Sequence, residues 1–443
     1  MIRPTTNGVL KSYRYNLQRS THTLNKSINT VLTQRNFNTY ADDPATAARC
    51  FQMRRSYQRT NSQYAVGQSV VRKYEQAWSA MESVVQDVDN RKGDSSYTAV
   101  LEAINDPTGS GRTALGQTLN ELARGVVQTM NCRYGDNFVF AGADGLNVPF
   151  TWDNTGNLCY RGIPVDAAVP SVAASGDGTP LAVNDDGVYD PANGTNFLVA
   201  DKIRFISAAD YATAAAAGKA PSILRGTDGA GVAFTGDGAL DATGDHFMVV
   251  NENPELISVD EYQQAEKNVA SLDYLANGEK KYADLGLGLQ EENGKLIESS
   301  AFNVALQGIN FLGFGTDEDG DPKNIVSIIS RMGEILSNCD STSGAFAEGE
   351  QTEFIRLAGK FEDAAALLKD KNTELSTEAK FLKSNQTQLE NNANNLAEQF
   401  LGIEDVDLAE AITALSWAQY SYNAALKVGN SILSQSLMDY INT

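Results

Sequence analysis

The residues with types suited to chemistry are few, and the first pair stands side by side. In NFNTYADDPATAAR (36–49) the carboxylates of Asp42 and Asp43 directly precede Pro44. Adjacent acids can share a proton or hold a cation. An aspartate in front of a helix does something plainer: it accepts an N–H of the first turn, while proline suits the first helical position. Its charge also complements the helix dipole. A long periodic segment begins at this point, so Asp43 and Pro44 are assigned as a helix cap. Histidine occurs only at His22 and His246, and neither lies in H-E-x-x-H nor has a second histidine at ligand spacing. GTDEDGDPKN (315–324) alternates Asp317, Asp319 and Asp321 like a calcium loop, but Pro322 stands where glycine is needed and Ile328 where a bidentate glutamate is needed. It reads as a solvated acidic turn before a helix at Ile325–Leu336. LGLGLQ (285–290) lacks the G-x-x-x-x-G-K-[ST] pattern of a phosphate loop. Cys50, Cys132, Cys159 and Cys339 are scattered without any C-x-x-C, which fits neither a disulfide framework nor a zinc site. No residue is assigned to catalysis, a cofactor or a metal; the chain does not read as an enzyme.

Charge narrows the partners. The net charge of −21 argues against nucleic acid, whose phosphates need a basic surface. The charge is segregated, with ten basic and two acidic residues in 1–60, but seven basic and fifteen acidic in 344–443. The two ends should attract one another at low salt. The start, MIRPTTNGVL, has no apolar core of a signal peptide, and no run reaches the length of a membrane span. By composition alone, this is a cytosolic protein.

The elements that must position these residues are mostly helical. Tyr57, Tyr64, Val71, Trp78 and Val85 recur every seven residues, with Met53, Tyr74, Met81 and Val88 on a companion stripe. Phe354, Phe361, Leu368, Leu375, Leu382, Leu389 and Leu396 repeat the spacing near the other end, beside Ala358, Ala365, Ala379, Ala393 and Phe400. Sustained sevenfold spacing predicts coiled-coil-like packing. Segments 44–89 and 354–400 are each expected to form a rod of roughly 70 Å at about 1.5 Å per residue. A shorter helix near 112–134 adds Leu115, Leu119, Leu122, Val126 and Met130. Two amphipathic arms flank the rods: Leu10, Leu17, Leu24 and Val31 at the start; Leu408, Leu415 and Tyr422, with Ile412, Leu426, Leu433, Leu437 and Tyr440, at the end. Two such helices alone expose half of each surface, so the arms are expected to order among neighbouring copies. Glycine and proline concentrate in 141–300, where NFLVADKIRFI and GDHFMVV read as strands.

Several of these stretches resemble a known family. NTYADDPATAARC is similar to the D-D-P-A segment of the flagellin superfamily, and DLAEAITALSWAQYSYNAALKVGNSILSQSLMDYIN (407–442) to its C-terminal signature; TTN near the start fits as well. Together they cover about 1–140 and 300–443. Within the superfamily, YGDNFVFAGADGLNVPFTWDNTGNLCYRG (134–162) resembles the hook-associated protein 3 branch, the hook–filament junction subunits, through Phe138, Phe140, Ala141, Gly142, Pro149, Phe150, Tyr160 and Gly162. YADLGLGLQ…SSAFNVALQGINFLGFG and the terminal SLMDYIN resemble the same branch. The usual Ser-Gly-Lys before D-D-P is replaced by LTQRNFNTY, and beyond 165 the middle matches no family passage.

The resemblance implies a mainly α, flagellin-like fold with an inserted β-rich domain. Its parts would be terminal coiled-coil arms (1–40 with 404–443), a helical rod domain (41–140 with 300–403) and an outward domain (141–299). It further implies export through the flagellar secretion channel without signal cleavage, which overrides the cytosolic reading. The implied partners are other copies in a ring, a hook-associated protein on the hook side, flagellin on the filament side, and an export chaperone on the C-terminal arm. Cysteines would be buried thiols, not bridges. The arm residues Leu10, Leu17, Leu24, Val31, Leu408, Ile412, Leu415, Tyr422, Leu426, Leu433 and Leu437 are the expected assembly contacts. Alternatives that stay open are a divergent flagellin forming the filament itself, a hydrolase within 141–300, and an outward-facing adhesin.

Overall fold

The computed structural model describes residues 6–37, 39–41, 43–89, 95–105, 109–200, 203–340 and 343–441. Ten helices span the described residues: α1 (Thr6–Thr33), α2 (Pro44–Asp89), α3 (Ser96–Asn105), α4 (Gly109–Met130), α5 (Ala208–Ala216), α6 (Val259–Asp273), α7 (Ile309–Leu312), α8 (Ile325–Ser337), α9 (Glu350–Glu404) and α10 (Leu408–Ile441). Short strands occupy the middle, so helical chain ends enclose a strand-bearing insert, as the sequence predicts. The chain divides into two compact units, one of residues 1–71, 283–302 and 380–443, the other of 72–282 and 303–379.

The heptad reading is right for α9 and shifted for α2. Phe354, Phe361, Leu368, Leu375, Leu382 and Leu389 are all buried. In α2 the buried seam is Gln63, Gly67, Val70, Tyr74, Ala77, Met81, Val84 and Val88, alternating in steps of four and three. The companion stripe lies on the seam from Tyr74 onward; of the other series Val71 is buried beside it, Tyr57, Tyr64 and Val85 are half-buried, and Trp78 points outward, 42% exposed. Gly67 and Ala77 carry too little apolar surface to register in a hydrophobic count, though both are buried in the seam.

In the second unit α4 crosses α8 on a pair of glycines. A Cβ on Gly116 would stand 2.7 Å from the Gly333 carbonyl oxygen, and one on Gly333 2.6 Å from Asn120 Oδ1. Beside this crossing, strands β1 (Phe150–Trp152), β2 (Leu158–Tyr160) and β3 (Ile163–Pro164) form an antiparallel sheet. The junction-type motif is the core here. Phe140, Phe150 and Tyr160 are fully buried, the Tyr160 hydroxyl donates to the Phe140 carbonyl at 2.9 Å, and Asn131 brackets the Phe150 backbone through both amide atoms.

The insert beyond 165 is an internal duplication. Residues 172–211 and 223–262 share Asp177-Gly178 with Asp228-Gly229, Asp186-Gly187 with Asp237-Gly238, Phe197 with Phe247, and Ile206-Ser207…Tyr211 with Ile257-Ser258…Tyr262. Each copy supplies three strands: β4 (Ala182–Val183), β5 (Asn196–Leu198) and β6 (Arg204–Ser207), then β7 (Ala233–Phe234), β8 (His246–Val249) and β9 (Leu256–Ser258). Each copy then gives its third strand to the other, so the sheets run β9-β5-β4 and β7-β8-β6. Ser207 pairs with His246 and Ser258 with Asn196 at equivalent registers. Both serines cap the following helix, and Tyr211 meets Phe247 edge-on as Tyr262 meets Phe197. The core draws equally on both copies: Ala173, Leu181, Val183 and Leu198 with Leu224, Val232, Phe234 and Met248.

Candidate functional site: the paired chain ends

The helix cap stands as read from the sequence. Asp43 Oδ1 accepts the Thr46 N–H at 3.1 Å, and α2 begins at Pro44. Hydrogen bonds from Thr46, side chain and backbone, hold the Asp43 carboxyl below its usual range. Asp42 lies outside the described residues.

The acidic turn is a correction. Asp321 is buried, not solvated. Arg356 grips it with Nε at 2.6 Å and Nη2 at 2.8 Å, and the Lys360 ammonium reaches Asp317 at 2.5 Å, Asp319 at 3.0 Å and Asp321 as well. The hydrogen bond from Arg356, helped by Lys360, lowers the Asp321 pKa against its burial. Burial would lower the Lys360 pKa, but its bonds to the three aspartates outweigh that and raise it. The ammonium thus stands where a cation would bind. The turn itself is generic: an N–H of residue i donates to the carbonyl of i+4, and a left-handed glycine at i+3 donates back to i. The same pattern recurs at 153–157, 175–179, 184–188, 226–230, 235–239 and 317–321. His22 is exposed on α1, and His246 Nδ1 lies 2.7 Å from Asp245 Oδ1 on β8. Cys50, Cys159 and Cys339 are buried and Cys132 half-buried, all unbridged.

What the fold of the first unit does assemble is the two chain ends. α1 runs antiparallel to α10: Val406 N–H donates to the Gln34 carbonyl at 3.1 Å, while at the far side Tyr13 lies against Gly429, where a Cβ would enter the phenol. Along the pair Ala411, Ala418 and Gly429 of α10 are buried, and Leu17, Leu24 and Val31 of α1 are half-buried. Small residues on the α10 side, Gly429 against Tyr13 above all, permit a close approach. Leu10, Leu17, Leu24, Val31, Leu415 and Tyr422 are half-buried in the pair. Leu408, Ile412 and Leu426 are not, at 44, 48 and 42% exposed; with Trp417, Tyr420 and Val428 they stand among exposed polar residues such as Glu410, Gln419, Asn423 and Lys427 around the outward side of α10. The side chains of Leu433, Leu437 and Tyr440 lie outside the described part.

Sequence reasoning missed the foot of this pair. Glu404, 5% exposed, takes Arg35 from beyond α1 at 3.0 Å and Arg54 from α2 on its other oxygen. Asn36 N–H donates to the Glu404 carbonyl, and its amide Nδ2 to the carbonyls of Ile403 and Asp405 at 3.0 and 3.1 Å. Beneath lie Phe37, Ala47, Cys50, Ile403 and Phe400, the last tilted against Tyr57. Burial, then the Glu404 charge, raises the Cys50 thiol pKa. The acidic D-x-x-E-A stretch of the signature has a local reason too: Asp407 Oδ1 accepts the N–H groups of Ala409 and Glu410 and caps α10.

No protein-family model and no curated protein matches the chain. Among solved structures, it is similar to flagellar hook associated protein-3 of Legionella pneumophila at 13% identity, over 80% of this chain and 98% of that one, with a TM-score of 0.38. A flagellar junction protein from the same organism aligns at 13% identity over 80% and 99%, TM-score 0.35. FlgL of Xanthomonas campestris aligns at 13% over 78% and 98%, TM-score 0.32. Among the described residues no helix is long and apolar enough to cross a membrane.

Proposed function

We propose that this chain is a structural subunit of a flagellin-type helical assembly, building by its terminal helices and not by catalysis. Within that class it is the hook–filament junction subunit, exported through the flagellar channel and acting in the bacterial flagellum. The observation that carries the reading is the α1–α10 pair: it buries one stripe and leaves Leu408, Ile412, Trp417, Tyr420, Leu426 and Val428 outward on α10. Six large apolar side chains exposed on one helix are better covered than left in water. Neighbouring copies in a ring, a hook-associated protein on one side and flagellin on the other supply it, and an export chaperone on the C-terminal arm covers it beforehand. The signature resemblance at both chain ends supports this assignment, and the junction-type motif at 134–162 favours the junction over the filament.

Leu426 separates assembly from folding. Leu426→Asp should abolish incorporation at the hook tip while α1 and α10 stay paired, whereas Leu415→Asp should lose both. Normal incorporation of the Leu426 variant, scored by electron microscopy of hooks and by motility, overturns the proposal. Long filaments grown from the purified protein on filament fragments would make it a flagellin instead.

A further inference from the structure

Two chain connections join the α1–α10 pair to the rest of its unit: the stretch after α1 and residues 405–407 between α9 and α10. They are stitched to each other by the Asn36 and Val406 N–H bonds and the Arg35–Asp405 bridge, with Gln34 in the left-handed region at φ 55°. Adjacent paired connectors with one strained residue have the form of a hinge. Across it stands one buried carboxylate, Glu404 at the end of α9, held by Arg35 on the arm side and Arg54 on α2. Ion pairs at a surface hold little; a buried carboxylate deprived of its partner is costly, and the cost falls on whatever motion separates them. Arg54 also lies over the Phe400 ring, 5.6 Å from its centroid, so its guanidinium has a second anchor on α9.

We infer that Glu404, Arg35 and Arg54 form a lock on this hinge. Closed, it fixes the angle at which the arm pair leaves the base of α2 and α9. Open, it frees α1 and α10 to swing together as a two-helix body, their mutual packing intact. The inference is independent of the assembly reading: a lock of this kind would act in any setting where the arms must reorient.

Amide hydrogen exchange on the full-length chain tests it, comparing the native protein with Arg35→Met, Glu404→Gln and the double variant. Arg35→Met removes the partner on the arm side while Glu404 keeps Arg54 whether the hinge is closed or open, and should speed exchange at Asn36 and Val406 at least tenfold. Glu404→Gln, which removes the same pair from its other side, should act in the same direction, and the double variant should go no further than the larger single effect. Amides within 10–31 of α1 and 411–429 of α10 should keep native protection in all three. Unchanged connector exchange in both single variants overturns the lock. So does loss of arm protection in step with the connectors, which would make Glu404 only a contributor to arm stability. Additive effects in the double variant overturn the coupling on which the lock depends.

Discussion

Asp166 is the residue whose charge is least well provided for. Its Oδ1 is buried with no hydrogen-bond partner among the described residues, and burial pushes the carboxyl up to about 6, only partly offset by the Ser327 hydroxyl. A carboxyl whose pKa is raised on folding is protonated in the native state while still ionised in the unfolded chain. Between about 6 and the ordinary 3.8, the native state therefore binds the extra proton, and stability grows as pH falls through that window. Asp166→Asn should raise stability at pH 7 by about 2–3 kcal/mol and flatten this dependence, as urea denaturation at pH 4.5 and 7 would show. Asp321 has the opposite sign. Its pKa is lowered by Arg356 and Lys360, so its stabilisation is present above the unfolded value and lost as pH falls through the lower, folded one. Lys360→Met should remove part of that acid sensitivity while lowering stability at neutral pH, since three aspartates would be left facing one another.

At the scale of elements, contacts between backbones decide as much as apolar side chains. α4 and α8 touch through Gly116 and Gly333, and no relaxation of a flexible side-chain tip relieves a methyl placed against the Gly333 carbonyl. Gly116→Ala should therefore cost about 1–3 kcal/mol, as overpacking does, despite alanine's better helix propensity; a thermal melt that rises would contradict this. The insert makes a second case. Because β6 and β9 are exchanged, neither repeat closes its own sheet, and Phe234 belongs to a core shared by both. Phe234→Ala should destabilise by about 3–5 kcal/mol and expose the amides of β5 and β8 together. Loss of protection in β8 alone would mean that the repeats fold separately.

Over the whole molecule, the opposite charges of the two chain ends meet at one point. Arg35 and Arg54 come from the basic first sixty residues and Glu404 from the acidic last hundred, and the carboxylate they share is buried. The buried carboxylate is screened less than surface charge even though the Arg35 and Arg54 side chains are 51 and 34% exposed, so raising salt from 0.1 to 1 M should weaken the arm protection only modestly. Hydrogen exchange at both salt levels would check this, and a large loss at high salt would assign the attraction to diffuse surface charge. The outward apolar residues of α10 make a related contrast. Leu426→Asp should shift monomer stability by no more than about 0.5 kcal/mol, as at other exposed sites, whereas Leu415→Asp puts a charge inside the pair.

The sequence by itself determined the helices α1, α2, α4, α8, α9 and α10, their approximate ends, the cap at Asp43-Pro44 and the seam of α9, because seven-residue spacing of large apolar side chains and capping chemistry are local properties; α3, α5, α6 and α7 it did not mark. It also carried the duplication, visible in the Asp-Gly turns and the repeated Ile-Ser…Tyr, but not the strand exchange, since either pairing of equivalent strands satisfies the same local pattern. Only the tertiary structure decided that Gln63, Gly67 and Ala77 belong to the seam of α2, because residues with so little apolar surface leave no mark in a hydrophobic pattern. It alone turned a solvated acidic turn into a neutralised one, since Lys360 and Arg356 lie a long way along the chain from Asp317–Asp321. It alone chose Glu404 from fifteen acidic residues near the C-terminus. A carboxylate's burial depends on what converges on it, and Arg35, Arg54 and Asn36 converge there from the opposite end of the chain.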